Sequence, residues 1–167
     1  MERNIKIVIK QITPNDWQDY KSIRLDALRN EAQAYRTTYD EAARYTQEHW
    51  KRYTTTASIL LAYDKQEPIG MMGAYYEKTV AVVIGVYVNQ NYREKGIGKN
   101  LLKALEEIIK KENRVKTLKL WVERDQAAAL ALYKRMGFMI VGKESGMLGD
   151  GKQHEEYIMK KNINDKK

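Results

Sequence analysis

The residues best suited to chemistry fall in one short stretch, Asn91-Tyr92-Arg93-Glu94-Lys95-Gly96-Ile97-Gly98-Lys99-Asn100-Leu101-Leu102. Two glycines one residue apart allow a backbone to approach a ligand closely. The apolar pattern that follows predicts a helix, whose first amides have no partner within it and lie at its positive pole. With Arg93, Lys95 and Lys99 alongside, the chemistry on offer is the cradling of an anion, phosphate above all. Three cradles compete. A Walker loop needs Gly, four residues and then Gly-Lys-Ser/Thr; here Gly98-Lys99 is followed by Asn100, and Arg93 stands where the first glycine belongs. A dinucleotide fingerprint needs a third glycine three residues after the second, and Leu101 stands there. What remains is Arg/Gln-x-x-Gly-x-Gly/Ala, met by Arg93, Gly96 and Gly98. A strand-to-helix turn without a ligand would read the same way.

The elements that must position this stretch follow from periodicity. Ile5–Ile12 alternates apolar and polar residues, as a half-buried strand does. Thr13-Pro14-Asn15-Asp16 predicts a helix start, with Thr13 as cap, Pro14 in the first turn and Asp16 at the positive pole. Trp17, Tyr20, Ile23, Ala27 and Leu28 then recur at helical spacing. Glu31–Tyr45 reads as irregular, and Thr46–Tyr53 as a short second helix. Ser58–Tyr63, Ile69–Tyr76 and Val80–Val88 are strands with no helix between them, hence an antiparallel meander, with Asp64–Pro68 as a hairpin turn. Gly98–Glu112 is a helix, Thr117–Val122 a strand, Gln126–Met136 a helix, and Phe138–Lys143 and Glu155–Lys160 the closing strands. Val80–Val122 is thus a strand–helix–strand unit, whose two strands should be parallel.

Composition narrows the function classes. The chain has 167 residues, 43% hydrophobic and 31% charged, as expected for one folded domain and for neither a disordered chain nor a collagen. Its longest apolar run, Val80–Val88, is too short to span a bilayer as a helix. No cysteine is present, which excludes disulfides, thiolate metal sites and a cysteine nucleophile. His49 and His154 are the only histidines and suggest no metal centre. The N-terminal residues carry no signal-peptide pattern, so a cytoplasmic protein is the default expectation. The net charge of +8 favours an anionic partner. The charge is dispersed, however, and no nucleic-acid motif accompanies it, so nucleic acid is the less favoured partner. The densest basic clusters are Lys110-Lys111 with Arg114 and Lys116, and Lys160-Lys161 with Lys166-Lys167.

Val80–Leu102 resembles the central motif of the GNAT acetyltransferase superfamily. Gln126-Ala-Ala-Ala-Leu-Ala-Leu-Tyr133-Lys-Arg-Met-Gly137-Phe138 resembles the next motif of the same superfamily, Asn-x-x-Ala-x-x-Leu-Tyr-x-x-x-Gly-Phe. The resemblance covers about Ile5–Lys160. It implies a single-domain α/β fold over residues 1–167, with a mixed central sheet, an antiparallel N-terminal meander, a β-α-β core that binds acetyl-CoA, and residues 161–167 as a basic tail. It further implies that backbone groups of Val86, Tyr87 and Val88 pair with the pantetheine arm. Amides of Arg93, Glu94, Lys95, Gly96, Ile97 and Gly98, with Lys99, would hold the pyrophosphate. Gln126 stands where the superfamily usually has a cofactor-contacting Asn, and Tyr133 where a tyrosine lies near the cofactor sulfur. Glu94 departs from the pattern, which often has Gly there, and must point outward. Read as packing alone, Tyr133 is an amphipathic core residue and Gly137-Phe138 a helix stop followed by a core residue.

The implied reaction is acetyl transfer from acetyl-CoA to an amine by direct attack, with no metal. A lysine-like amine has a pKa of about 10.4, so it must be deprotonated near neutrality. The superfamily often carries a glutamate on the fourth strand, but Val80–Val88 holds no carboxylate. The base is therefore open between Glu123, ranked first, Glu77, His154 and water. The expected acceptor is a primary amine of a small molecule or peptide, lined by Gln33–Trp50 with Tyr35, Tyr39, Tyr45, His49 and Trp50. A homodimer is compatible with this reading. The rival readings are a non-catalytic acetyl-CoA sensor and a basic nucleic-acid-binding domain.

Overall fold

A computed structural model describes residues 5–163; of the tail expected over residues 161–167, Lys161 and Asn162 instead end the last strand, and residues 164–167 lie outside the described residues. Strand β1 (Ile7–Gln11) is followed by α1 (Trp17–Asn30), α2 (Tyr39–Ala43) and α3 (Gln47–Thr56). The strands β2 (Ala57–Asp64), β3 (Glu67–Glu77) and β4 (Val80–Val88) come next, then α4 (Ile97–Lys110), β5 (Thr117–Glu123), α5 (Ala127–Arg135), β6 (Met139–Met147) and β7 (Gln153–Asn162). The strands form one seven-stranded sheet in the order β1-β2-β3-β4-β5-β7-β6. Only β4 and β5 pair in parallel, as the intervening helix requires.

Two cores sandwich the sheet. Leu60, Ala62, Met72 and Val83 join Leu101, Leu105 and Ile109 of α4 on one face, together with Leu118, Leu120 and Val122 of β5 and Tyr133 and Phe138 from the α5 region. Ile59, Leu61, Met71 and Tyr87 join Tyr20, Ile23, Ala27 and Leu28 of α1 and Trp50 of α3 on the other. Strand β2 serves both cores, which is why Ile59–Tyr63 is a continuous apolar run rather than an alternating one.

Three local expectations change. The segment read as irregular contains α2, where the Thr38 side chain accepts from the Glu41 amide at 3.2 Å. The β2–β3 hairpin is tighter than Asp64–Pro68: Asp64 pairs with Glu67, and Lys65 takes φ of 56° in the two-residue turn. The expected helix start at Thr13 is a capping box with Asp16, but it opens as a short 3₁₀ turn, Pro14–Asp16, before α1. No helix among the described residues is long and apolar enough to cross a membrane.

Candidate active site

The central strands part to make the site. Strands β4 and β5 pair only along Val80–Val82 with Thr117–Lys119, and the ladder then ends. Along β3, Met71 faces Tyr87 and Gly73 faces Ile84, so Gly85 and Val86 together oppose one residue. Gly85 has φ of 60°, a left-handed bulge position that suits glycine. Beyond the bulge, the Asn89 amide donates to Ile69 of β3. Alternation then turns the peptide groups of Val86 and Val88 away from β3, toward the opening. The Tyr35 hydroxyl donates to the Val86 carbonyl at 2.6 Å, and Arg93 Nε donates to the Val88 carbonyl at 2.9 Å.

Tyr87 fixes this strand to α1. Its hydroxyl donates to Asp26 at 2.9 Å and accepts from Asn30 at 3.3 Å. Burial, with Asp26 alongside, pushes the phenol pKa up to about 12. Arg93 also pairs with Glu31 at the end of α1, so its guanidinium ties the loop to the helix.

The glycine loop matches the anion cradle in form. The Arg93 amide is taken up by Gln90, and the Asn100 amide by Gly96 as the first bond of α4. Among the described residues, no hydrogen bond engages the amides of Glu94, Lys95, Gly96, Ile97, Gly98 and Lys99. Gly96 caps α4 with φ of 76°, and Glu94 takes φ of 62° with its side chain exposed. That conformation explains why glycine would be easier at Glu94. At Gly98 an added Cβ would lie 3.5 Å from Leu132 of α5, an ordinary van der Waals contact, so the packing of the two helices does not itself require glycine there. Gln126 caps α5 without a side-chain cap bond.

Tyr133 lies on the buried side of α5, 4% exposed and edge-on to Phe138 at 5.7 Å. Burial raises its pKa above the ordinary tyrosine value. It lies near enough to Tyr35 to add to the rise that burial gives the Tyr35 phenol. Gly137 and Phe138 close α5 in a Schellman turn: the Gly137 amide meets Lys134, the Phe138 amide meets Tyr133, and Gly137 has φ of 93°. The bland reading of that pair as a helix stop and core residue is the observed one.

Counting on from the Val82–Lys119 pair brings Glu123 level with the bulge. Glu123 is 7% exposed. Its Oε2 accepts the Asp125 amide at 2.9 Å, and its Oε1 lies 3.5 Å from His154 Nδ1. His154 Nε2 meets Asp150 Oδ2 at 2.7 Å. Glu156, opposite Glu123 across β5–β7, is buried and pairs with Arg36, which also reaches Glu144 at 3.3 Å. Burial raises the Glu156 pKa, and Arg36 opposes the rise. Glu77 lies opposite Val80, at the end of β4 remote from the bulge. The register therefore separates it from the other candidate bases.

The aromatic segment divides. Tyr35 is at the opening, and its carbonyl accepts the Gly149 amide of the β6–β7 turn at 2.6 Å. Tyr39 stacks with Arg29. Trp50 is fully buried, and Tyr45, His49 and Tyr53 cluster around it with Tyr20, so these aromatics pack the α1–α3 layer. The sequence reading missed Arg36, Asp150 and Glu156, which come from segments without a motif. No group of three or more His, Cys, Asp or Glu residues among those described is arranged to hold a metal ion.

A strand–helix–strand unit with a splayed, bulged strand, and a glycine loop whose amides are unengaged among the described residues, has the form of an anion-binding α/β domain. The family model of the acetyltransferase (GNAT) family matches residues 24–138, and the chain belongs to this family of acyltransferases. Solved structures agree in fold. A GNAT-family acetyltransferase from Streptococcus pneumoniae is 20% identical with a TM-score of 0.83, over 95% of this chain and 100% of that one. The ribosomal-protein-alanine N-acetyltransferase from Brucella melitensis is 25% identical with a TM-score of 0.75, over 93% and 99%. NAA60 from Arabidopsis thaliana, solved in complex with acetyl-CoA, is 20% identical with a TM-score of 0.75, over 95% and 99%.

Proposed function

We propose that the chain, as one catalytic domain over residues 1–167, transfers the acetyl group of acetyl-CoA directly to a primary amine of a peptide or small molecule. The observation that carries this reading is the β4–β5 opening. The peptide groups of Val86 and Val88 turn toward it, the Glu94–Lys99 amides, unengaged among the described residues, lie beyond them, and counting along β5 from the last pair brings Glu123 level with the bulge. In this reading the diphosphate rests on the Glu94–Lys99 amides with Lys95 and Lys99, and the pantetheine arm runs along Val86–Val88. Gln126 supports the arm from the start of α5. The Val86 carbonyl retains a second lone pair beside its bond to Tyr35.

Glu123 is the proposed base for the amine, and backbone N–H groups at the bulge stabilise the carbonyl oxygen. Tyr133 faces the departing sulfur. A thiol titrates at about 8.5 and a free tyrosine at about 10. Burial raises Tyr133 further, so it stays protonated and serves as a hydrogen-bond donor rather than a base.

The Brucella protein is named for an alanine of a ribosomal protein. That likeness, with Tyr35 held against the β6–β7 turn, makes a peptide N-terminus the first acceptor to try. The test is release of free CoA from acetyl-CoA across a panel of peptide N-termini and small amines. Turnover with any amine upholds the reading. Tight acetyl-CoA binding without turnover on the panel would instead favour a sensor.

A further inference from the structure

Acetyl transfer to an amine in its ammonium form leaves one proton over. The thioester C–S bond breaks and the amide C–N bond forms. The ammonium nitrogen loses two protons: one ends on the departing sulfur, and the other must reach solvent. If Glu123 is the base, as proposed above and as this inference assumes, that proton starts on a carboxylate only 7% exposed. The Asp125 amide engages one of its oxygens at 2.9 Å, which leaves the other as the more basic and the freer to pass the proton on.

That other oxygen faces His154. Glu123 Oε1 lies 3.5 Å from His154 Nδ1, and His154 Nε2 lies 2.7 Å from Asp150 Oδ2. The side-chain exposures of Glu123, His154 and Asp150 are 7%, 18% and 22%, so the chain of groups runs from the interior to the surface. We infer that His154 is the relay through which Glu123 returns its proton to solvent, with Asp150 orienting the imidazole through its bond to Nε2. Each turnover passes one proton from Glu123 onto Nδ1 of the neutral ring and one from Nε2 to water, and the ring then returns to its starting tautomer by exchange with solvent. At 3.5 Å the pair is too far apart for direct transfer, so the relay requires Glu123 and His154 to close up in the substrate complex.

The surroundings suit a carrier. The charged groups around it are Glu123 from β5, Asp150 and Lys152 from the β6–β7 turn, and Glu156 of β7 with its partner Arg36, which also reaches Glu144; Glu155, next along the strand, pairs with Arg124 instead. Gly146 of β6 pairs with His154 across the ladder and offers no charge. The hydrogen bond to Asp150 raises the His154 pKa, and Glu123 adds to the rise. His154 acts through Glu123 and touches no reacting atom, so it is a positioning and relay residue.

The experiment joins a titration with a rescue. Proton NMR follows His49 and His154 in the free protein, with His49→Gln to assign the signals. His154 should titrate above an ordinary histidine, and its midpoint should fall in Glu123→Gln and fall further in Asp150→Asn. Steady-state rates are then measured for wild type, Glu123→Gln and His154→Ala at fixed pH and rising imidazole concentration. His154→Ala should be slowed about tenfold in weak buffer, less than the 10²-fold or more lost with a direct base, and imidazole should restore it. Wild type should ignore imidazole. A His154 midpoint unmoved by Glu123→Gln overturns the relay, and so does a His154→Ala enzyme that is fast or is not rescued. If Glu123→Gln itself turns over at the wild-type rate, the assignment of the base fails first and the relay falls with it. Should His154→Ala not fold, the titrations of the wild-type, Glu123→Gln and Asp150→Asn proteins decide.

Discussion

The two flanks of the β4–β5 opening are built from different material. The cradle flank is backbone: the amides of Glu94–Lys99, the left-handed Gly96 and the peptide groups of Val86 and Val88. The other flank is side chain: Tyr35, Arg36, Glu123, Tyr133, His154 and Glu156 converge from the α1–α2 segment, β5, α5 and β7. A backbone site tolerates many side chains and fixes geometry through dihedral angles. A side-chain site can change chemistry with one substitution. Mutations on the second flank should therefore alter turnover while leaving the carrier bound, and mutations on the first should do the reverse.

The largest expected effect tests that division at Tyr133. Phe fills the same space against Phe138 and removes only the hydroxyl. Tyr133→Phe should lower the maximal rate by about 10²–10⁴-fold, the range for a lost proton donor. The acetyl-CoA Kd, measured by calorimetry, should change little. An enzyme turning over at the wild-type rate with chemistry limiting would leave Tyr133 as core and weaken the contrast.

Glu123→Gln comes next. It keeps the acceptor for the Asp125 amide and loses the base. The rate near neutrality should fall by about 10²-fold, and the loss should shrink at high pH as an amine of pKa about 10.4 deprotonates unaided. A pH–rate profile superimposable on wild type would make Glu123 a buried structural carboxylate.

A smaller effect is expected on the cradle flank. Lys95 and Lys99 are exposed, so reversing their charge should spare the fold. Lys95→Glu with Lys99→Glu should weaken acetyl-CoA binding about tenfold, equivalent to about 1.4 kcal/mol. At saturating acetyl-CoA the maximal rate should hold. A loss of maximal rate with unchanged Kd would invert the proposed roles of the flanks.

The same contrast governs what was legible in the sequence. The shape of the glycine loop was readable because glycine spacing dictates backbone shape: Arg93, Gly96 and Gly98 announce a strand-to-helix turn without any knowledge of distant residues. The place of Tyr133 on α5 was readable because a short helix carries it at a fixed offset from Gly137. The side-chain flank was not. Glu77 and Glu123 look alike as strand-end carboxylates, and only the β3–β4 and β4–β5 registers separate them. Arg36 and Glu156 are 120 positions apart, and no local pattern joins them. Trp50 shares its composition signal with Tyr35, yet the packing of α3 on α1 and β2 buries it away from the opening. One missed element did leave a mark, for Thr38 followed by Glu41 has the spacing of a helix start.

The smallest effect concerns the exposed edge of the side-chain flank, and its sign can be worked out group by group. A hydrogen bond from the Lys152 amide, with His154 adding to it, holds the Asp150 pKa below the ordinary 3.8. Asp150 therefore contributes stability above that value and loses it as pH falls through its folded pKa. His154 is raised above 6.5, chiefly by its bond to Asp150. It contributes fully below 6.5 and loses that contribution as pH rises through its folded pKa. Both charges are present together only between these limits. Asp150→Asn retains an oxygen for the Lys152 amide and removes the charge, so it isolates the electrostatic part. Its melting temperature should fall furthest below wild type in the mildly acidic window and approach it on either side. Added salt should shrink the difference, because both groups are near the surface. A difference that stays flat from about pH 3 to about pH 9 would mean that the two groups do not couple. The side-chain flank would then owe its arrangement to packing rather than to charge.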